Sequence, residues 1–239
     1  MVESSSQNLE KFLSYPKAEL VLFDCDGVLV DSEPAAQKAS VDFAAKYGIQ
    51  MTIPEAEKYF LGHSMPEIIR ILRKLSSEEL PENADELLKA HFISVMKTEA
   101  RTFDGVKSLL QKLNKAGIPF HVGSNSSMDE MQAKFKAVKI EDEIDPNKVH
   151  SAVDMGKPKP APDVYLLGAE EEKISPEKTI VVEDSDAGAK AAFNAGMRCI
   201  LLRHPGQKVP DFFKEGQVAV AYNISDVEKI LSQALREKI

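Results

Sequence analysis

Cysteine is almost absent from this chain: Cys25 and Cys199 are the only two among 239 residues, and Cys25 sits inside an apolar segment. A disulfide framework is therefore excluded as the organising device, and the chain reads as one suited to a reducing compartment. No apolar run approaches the length of a membrane span, and the opening stretch MVESSSQNLEKFLSYPKAE has neither the basic start nor the apolar core of a secretory leader. These absences lead to the expectation of a soluble, cytoplasmic protein with no membrane partner. Basic residues are also scarce, with 30 Lys and Arg against 38 Asp and Glu and a formal net charge of −8. General affinity for nucleic acid needs a basic face that releases counterions, so no nucleic-acid partner is expected. An anionic ligand would have to be held by local cations. Repeats and low-complexity tracts are missing too. With 43% hydrophobic residues the chain can bury an ample core, and its length suits one large domain or a domain carrying an insertion.

What is present is concentrated first in LVLFDCDGVLVDS, residues 20–32. Val21, Leu22 and Phe23 belong to a short unbroken apolar run of the kind a strand covered on both faces requires, and Gly27 ends it. Side chains alternate along a strand, so Asp24 and Asp26 point the same way and share one site. A calcium loop would want glycine at its sixth position and Glu at its twelfth, where this chain has Leu29 and Ala35. An ordinary strand ending in a polar turn is the plainer alternative, which only the rest of the chain can decide.

From Pro34 to about Ala100 apolar residues recur at helical spacing, with breaks at Gly48, Pro54, Leu61-Gly62, Ser76-Ser77 and Pro81. The pattern predicts a small helical bundle. From Phe103 helices and strands alternate. Helices are expected at 104–116 (capped by Asp104 and stopped by Gly117), 128–137, 162–171, 186–195 and 225–235. Strands are expected at 119–123, near 149–152, at 179–182 and at 198–202. Such alternation argues βαβ units and a parallel sheet. The expected fold is thus α/β: a doubly wound, Rossmann-like core of residues 18–33 and 103–239, an inserted all-helical cap at 34–102, and a polar lead-in at 1–17 with a weak helical pattern up to about residue 15.

In open parallel sheets ligands bind at the carboxyl ends of the strands. Ser124-Asn125-Ser126-Ser127 follows one strand, where hydroxyls and N–H groups can receive phosphate oxygens, although a plain N-cap would look the same. GKPKPAPD follows the next, its prolines stiffening a loop that carries Lys157 and Lys159. Glu183-Asp184-Ser185 follows a third. Successive strand ends bearing Asp/Asp, Ser/Asn, Lys and Glu/Asp would supply a nucleophile, hydrogen-bond donors, a cation for phosphate oxygens and ligands for a hard metal such as Mg²⁺. The arrangement reads as a phosphoryl-transfer site.

The motifs DCDGVLVDS, GSNSS, KPAPDVY and VVEDSDAG, in this order and spacing, resemble those of the haloacid dehalogenase superfamily of aspartate-nucleophile phosphatases. The resemblance lies in the phosphosugar phosphatase and β-phosphoglucomutase-like branch, with a helical cap after the first strand, and covers the chain from about residue 19. It implies that Asp24 is the nucleophile, that Asp26 protonates the leaving alcohol and later activates water, and that Ser124 and Asn125 bind the phosphoryl group. It also implies that Lys159, rather than its neighbour Lys157, pairs with phosphate and Asp24. Mg²⁺ would be held by the Asp24 carboxylate, the Asp26 backbone carbonyl and Asp184, with Glu183 direct or through water. Dehalogenases lack the second aspartate, so Asp26 speaks against that activity.

The cap sets the substrate in this family, and Glu33, His63 and Ser64 are the expected contacts. The histidine and arginine of a β-phosphoglucomutase are replaced by Ala36 and Met65, and the cap shows no decisive lysine for a phosphonate hydrolase. His91 and His121, together with Met65, Met96 and Met128, are expected to be structural. The expectation is a Mg²⁺-dependent phosphatase, monomeric or weakly dimeric, acting on a small phosphate ester such as a sugar phosphate or sugar-acid phosphate. A phosphohexomutase is the first rival. A non-catalytic phosphate-binding or receiver-like module is the rival of another class, opposed by the helical insertion and the immediate DxD spacing.

Overall fold

The computed structural model of the protein describes residues 6–60 and 65–239. Strand β1 (Leu20–Phe23) is buried along its whole length, as its unbroken apolar run requires. Its side chains divide by period two. Val21 and Phe23 enter one apolar core, Leu20 and Leu22 the other, so each face of the sheet has its own core.

β1 pairs in parallel with β2 (Phe120–Ser124) and with β4 (Thr179–Glu183). β3 (Val149–Ser151) adds beyond β2, and β5 (Arg198–Leu202) and β6 (Val218–Ala221) add beyond β4. The order is β3-β2-β1-β4-β5-β6, all parallel. The chain starts in the middle, winds outward one way, then returns to β4 and winds the other way. That reversal opens a crevice between the carboxyl ends of β1 and β4.

Helices cover both faces. α6 (Val106–Ala116), α7 (Met128–Val138) and α10 (Ile224–Leu235) pack on the Val21 side, with α8 (Asp163–Glu171) and α9 (Asp186–Asn194) on the Leu22 side. Among the described residues no helix is long and apolar enough to cross a membrane.

Between β1 and α6 the described residues form four helices: α2 (Glu33–Ala45), α3 (Ile53–Phe60), α4 (Met65–Leu75) and α5 (Ala84–Glu99). Phe43, Phe60, Leu72 and Leu88 give this bundle an apolar core of its own. Its two connections to the sheet run side by side. Asp31 and Arg101 form an antiparallel bridge, with the Asp31 N–H donating to the Arg101 carbonyl at 2.8 Å, and the Thr102 hydroxyl donates to the Leu29 carbonyl at 2.9 Å.

Three features depart from the sequence expectation. The lead-in forms the helix its weak pattern suggests, α1 (Ser6–Ser14), but this helix is docked on the core: Phe12 is fully buried, Asn8 bonds to the Val218 carbonyl at 2.7 Å, and Arg198 donates to the carbonyls of Phe12 and Pro16. β6 is an additional strand, built from small residues that carry little strand signal. Asp104 does not cap α6; Gly105 stands at that position with φ 93°, and Asp104 lines a cavity instead.

Candidate active site

A cavity of about 1100 Å³ opens at the carboxyl ends of the central strands, beneath the start of α2. Asp24, Asp26, Ser124, Asn125, Lys159 and Asp184 line it together with Glu33. The sequence-derived candidates from four strand ends therefore share one space. His63 and Ser64 lie outside the described residues. His91 packs between α2 and α5, near Asp42 and Lys46, and is not a lining residue.

Asp24 is the residue after β1, and its N–H is fixed by the Val182 carbonyl at 2.9 Å. Its carboxylate accepts from the Lys159 ammonium at 2.6 Å, and the same ammonium donates to Glu183 Oε1 at 2.7 Å. The Tyr165 hydroxyl donates to that glutamate oxygen at 2.8 Å, while its ring lies 4.7 Å from the Lys159 nitrogen. Asn125 Oδ1 accepts the Lys159 N–H at 2.8 Å, so Asn125 holds the lysine loop against β2. Lys157 points elsewhere, pairing with Asp163 at the surface.

Glu183 is fully buried, and its second oxygen accepts the N–H groups of Asp184 and Ser185 and the Ser185 hydroxyl, each at 3.0 Å. Both its oxygens are thus engaged, and a direct metal bond would have to displace one of these donors. A Cβ at position 188 would stand 1.5 Å from Glu183 Oε1, which is why glycine occupies it.

Asp184 faces the cavity over Gly27, whose φ is +73° and whose absent Cβ would lie 1.9 Å from Asp184 Oδ2. The glycine of the first motif thus makes room for the acid of the last.

Electrostatically this is a crowded acidic cluster. Oxygens of Asp24, Glu183 and Asp184 lie within 4.8 Å of one another, and among the described residues the ammonium they face is that of Lys159. Burial pushes the Asp24 carboxyl well above its ordinary range, Lys159 opposes, and the neighbouring acids add to the rise. Asp184 is pushed up to about 7 by burial and then by Glu183. Burial would raise Glu183 as well, but Lys159 and the other donors hold it below its usual value. Lys159 stays firmly charged, since Asp24 and Glu183 outweigh its desolvation. Oxygen donors in excess of nearby positive charge are the donor set of a hard cation.

Asp26 has a different partner. The ammonium of Lys134, on α7, lies 2.7 and 2.8 Å from its two oxygens; the Ser126 hydroxyl donates at 2.8 Å and the Ser32 hydroxyl also donates. Burial alone would raise this carboxyl, but the Lys134 charge and these hydrogen bonds bring it below its ordinary value. A general acid wants the opposite shift. Lys134 also lies 5.6 Å from the ring centroid of Phe92 on α5, so this contact reaches the helical bundle.

Capping of α7 falls to Ser127, whose N–H donates to Glu130 at 2.7 Å. That leaves Ser124, buried beside Asp24, free of any capping duty. Its Oγ accepts the Ser126 N–H at 3.1 Å.

Lys134, Ser32 and Tyr165 are absent from the sequence expectation, and Ser126, expected only within the polar cluster after β2, bonds Asp26 instead. For Lys134 a signal existed: it is buried on α7 along with Met131 and Phe135, at helical spacing that puts a lysine on an apolar face.

The family model for haloacid dehalogenase-like hydrolases matches residues 21–202. Hexitol phosphatase A of Escherichia coli K12 is 33% identical over 185 residues, covering 77% of this chain and 82% of the relative. The 6-phosphogluconate phosphatase of the same organism is 30% identical over 182 residues, covering 76% and 80%. Among solved structures, a haloacid dehalogenase family hydrolase from Deinococcus radiodurans R1, with bound phosphate and sodium, is similar with a TM-score of 0.70 and 27% identity. That likeness covers 91% of this chain and 96% of the other.

Proposed function

This chain belongs to the haloacid dehalogenase-like hydrolases, and on that footing we propose that it is a Mg²⁺-dependent phosphatase of sugar phosphates or sugar-acid phosphates. The observation that carries the reading is the Asp24–Lys159–Glu183 chain at the floor of the cavity, with Asp184 beside it. A carboxylate is aimed into a ligand-sized space, with one fixed ammonium next to it and acidic ligands left over.

Asp24 is the nucleophile. One carboxylate oxygen attacks phosphorus while the bond from phosphorus to the substrate oxygen breaks, giving an aspartyl-phosphate and a free alcohol. The proton the alcohol needs comes from Asp26. In the second half, water attacks phosphorus, its proton passes to Asp26, and Asp24 is regenerated. Lys159 draws charge from the transferring group, and Ser124 and the Asn125 amide donate to its oxygens. The Asp24 and Asp184 carboxylates and the Asp26 carbonyl would hold Mg²⁺, with Glu183 acting through Lys159 and solvent. When bound, the cation neutralises phosphate charge that the acidic cluster would otherwise repel.

With Lys134 paired to it Asp26 is a base, which suits the second half. The first half needs a proton on Asp26, so the Lys134 contact loosens as the helical bundle settles on substrate; the Phe92 ring of the bundle lies 5.6 Å from that ammonium. Residues 34–102, the cap, select the substrate, with Glu33 facing the cavity from the start of α2.

The test is release of inorganic phosphate from a panel of hexitol, hexose and sugar-acid phosphates with Mg²⁺. Turnover is expected to fall by at least about 10³-fold in Asp24→Asn. Metal binding with no turnover of any ester, p-nitrophenyl phosphate included, would overturn the reading in favour of a binding module. Conversion of β-glucose 1-phosphate to glucose 6-phosphate, after priming with a bisphosphate, would redirect it to a mutase.

A further inference from the structure

A second cluster lies away from the acidic site, toward the start of β2. His121 on β2 and His150 on β3 project from the same face of the sheet, because His150 pairs with Gly123, two residues beyond His121. α8 covers that face closely. A Cβ at Gly168 would stand 2.9 Å from Leu22 and 3.4 Å from the His121 ring, so glycine lets the helix approach and its last turn reach both imidazoles.

The side chains converge. His121 Nδ1 is 2.9 Å from His150 Nε2, and Glu171 Oε2 is 3.5 Å from the first nitrogen and 3.2 Å from the second. Glu172 Oε1 lies 2.9 Å from the remaining ring nitrogen of His121, and Lys148 holds that same oxygen at 2.7 Å. A carboxylate in that position accepts the Nε2–H, which fixes the tautomer whose Nδ1 lone pair faces His150 and Glu171.

We propose that His121 Nδ1, His150 Nε2 and Glu171 Oε2 form a second metal site, for Zn²⁺, distinct from the acidic cluster. Two imidazoles and one carboxylate suit a borderline-soft ion rather than Mg²⁺ or Ca²⁺. The triangle of ligand atoms has the right size: an ion about 2.05 Å from each corner would sit roughly 0.9 Å above their plane, against ~0.7 Å in a regular tetrahedron. The ion takes the place of the proton that the two imidazoles otherwise share. Glu171 is 43% exposed along its side chain, which leaves a fourth position for water. Glu172, braced by Lys148, is the outer carboxylate that commonly supports a zinc-bound histidine. The site would clip the three-residue edge strand β3 to β2 and α8, and it does not depend on the phosphatase reading.

The experiment uses the full chain carrying Asp184→Asn, so that the acidic site does not compete. Calorimetry is expected to give one equivalent of Zn²⁺ with a Kd at or below about 10 µM and a higher melting temperature with zinc. Co²⁺ is expected to give the intense visible bands of a tetrahedral ion. Glu171→Gln and His150→Ala should each weaken Zn²⁺ at least tenfold, and Glu172→Gln by about 10- to 100-fold. In a chain with Asp184 intact, His150→Ala should leave Mg²⁺-supported turnover unchanged, which verifies the fold. Zinc affinity weaker than about 10 µM, equal affinity in His150→Ala, or an octahedral Co²⁺ spectrum overturns the proposal.

Discussion

Lys134 holds both oxygens of Asp26, at 2.7 and 2.8 Å, from a helix whose other buried residues include Met131 and Phe135. The two side chains come from elements 108 residues apart in sequence, and their pairing joins the first motif to the layer beneath the helical bundle.

Replacing Lys134 with Met should therefore disturb Asp26 more than it disturbs the nucleophile. Without the Lys134 charge Asp26 keeps its proton more readily, so the acid step on an alkyl phosphate should be spared while Asp26 loses strength as the base of the second half. That half is common to every ester, so kcat at neutral pH for an alkyl phosphate and for p-nitrophenyl phosphate should fall together, by about tenfold, and the acidic limb of the kcat–pH profile should move to higher pH. A pH profile unchanged from that of the wild type would reduce Lys134 to a packing role.

The two lysines of the proline-rich loop should behave oppositely. Lys157→Ala removes a surface pair and is expected to leave kcat within about twofold and stability within ~0.5 kcal/mol. Lys159→Met takes away the ammonium shared by Asp24 and Glu183, and kcat is expected to fall by about 10²-fold or more. Steady-state kinetics on the two variants decide it.

Metal removal gives a pH prediction whose sign follows from Asp184. Its carboxyl is raised in the folded state to about 7, above the ordinary value of 3.8, so the folded chain binds more protons between those limits. Stability from this group is full below about pH 4 and is lost as pH rises toward 7. In EDTA this group should lower the melting temperature progressively between pH 4 and 7.5, and Asp184→Asn should flatten that dependence. Mg²⁺ should accordingly stabilise the wild type more at pH 7.5 than at pH 5. A melting curve equally sensitive to pH in the variant would contradict the assignment.

Gly27 offers a test that leaves every charged group in place. A methyl group there would meet Asp184 Oδ2, and φ +73° disfavours any side chain. Gly27→Ala is expected to cost about 1–2 kcal/mol in stability. It should also raise the Mg²⁺ concentration for half-maximal activity at least tenfold, read from a metal titration of activity.

The sheet and the acidic edge were legible for local reasons. Leu20–Phe23 is an unbroken apolar run closed by a glycine turn, and Thr179–Val182 runs straight into two acids, so strand and site announce themselves together. β6 was not legible, because Val218–Ala221 alternates with alanine after a loop rich in proline and charge. The docking of α1 was hidden too, since it rests on Arg198 reaching back to carbonyls almost two hundred residues earlier. Lys134 was passed over because a lysine in a helix is normally solvated, and only its register with Met131 and Phe135 said otherwise. The roles of Asn125 and Glu183 as holders of Lys159 depend on three-dimensional convergence that no spacing encodes.

The bridge between Asp31 and Arg101 brings the two ends of the bundle to neighbouring points on the sheet layer. To the rest of the chain the whole insertion is then a closed loop with a fixed mouth, and lengthening such a loop adds closure entropy only logarithmically. A different set of helices could be grafted between these two positions without altering the strands that carry Asp24 and Asp184. The molecule is organised as a socket with an interchangeable fitting.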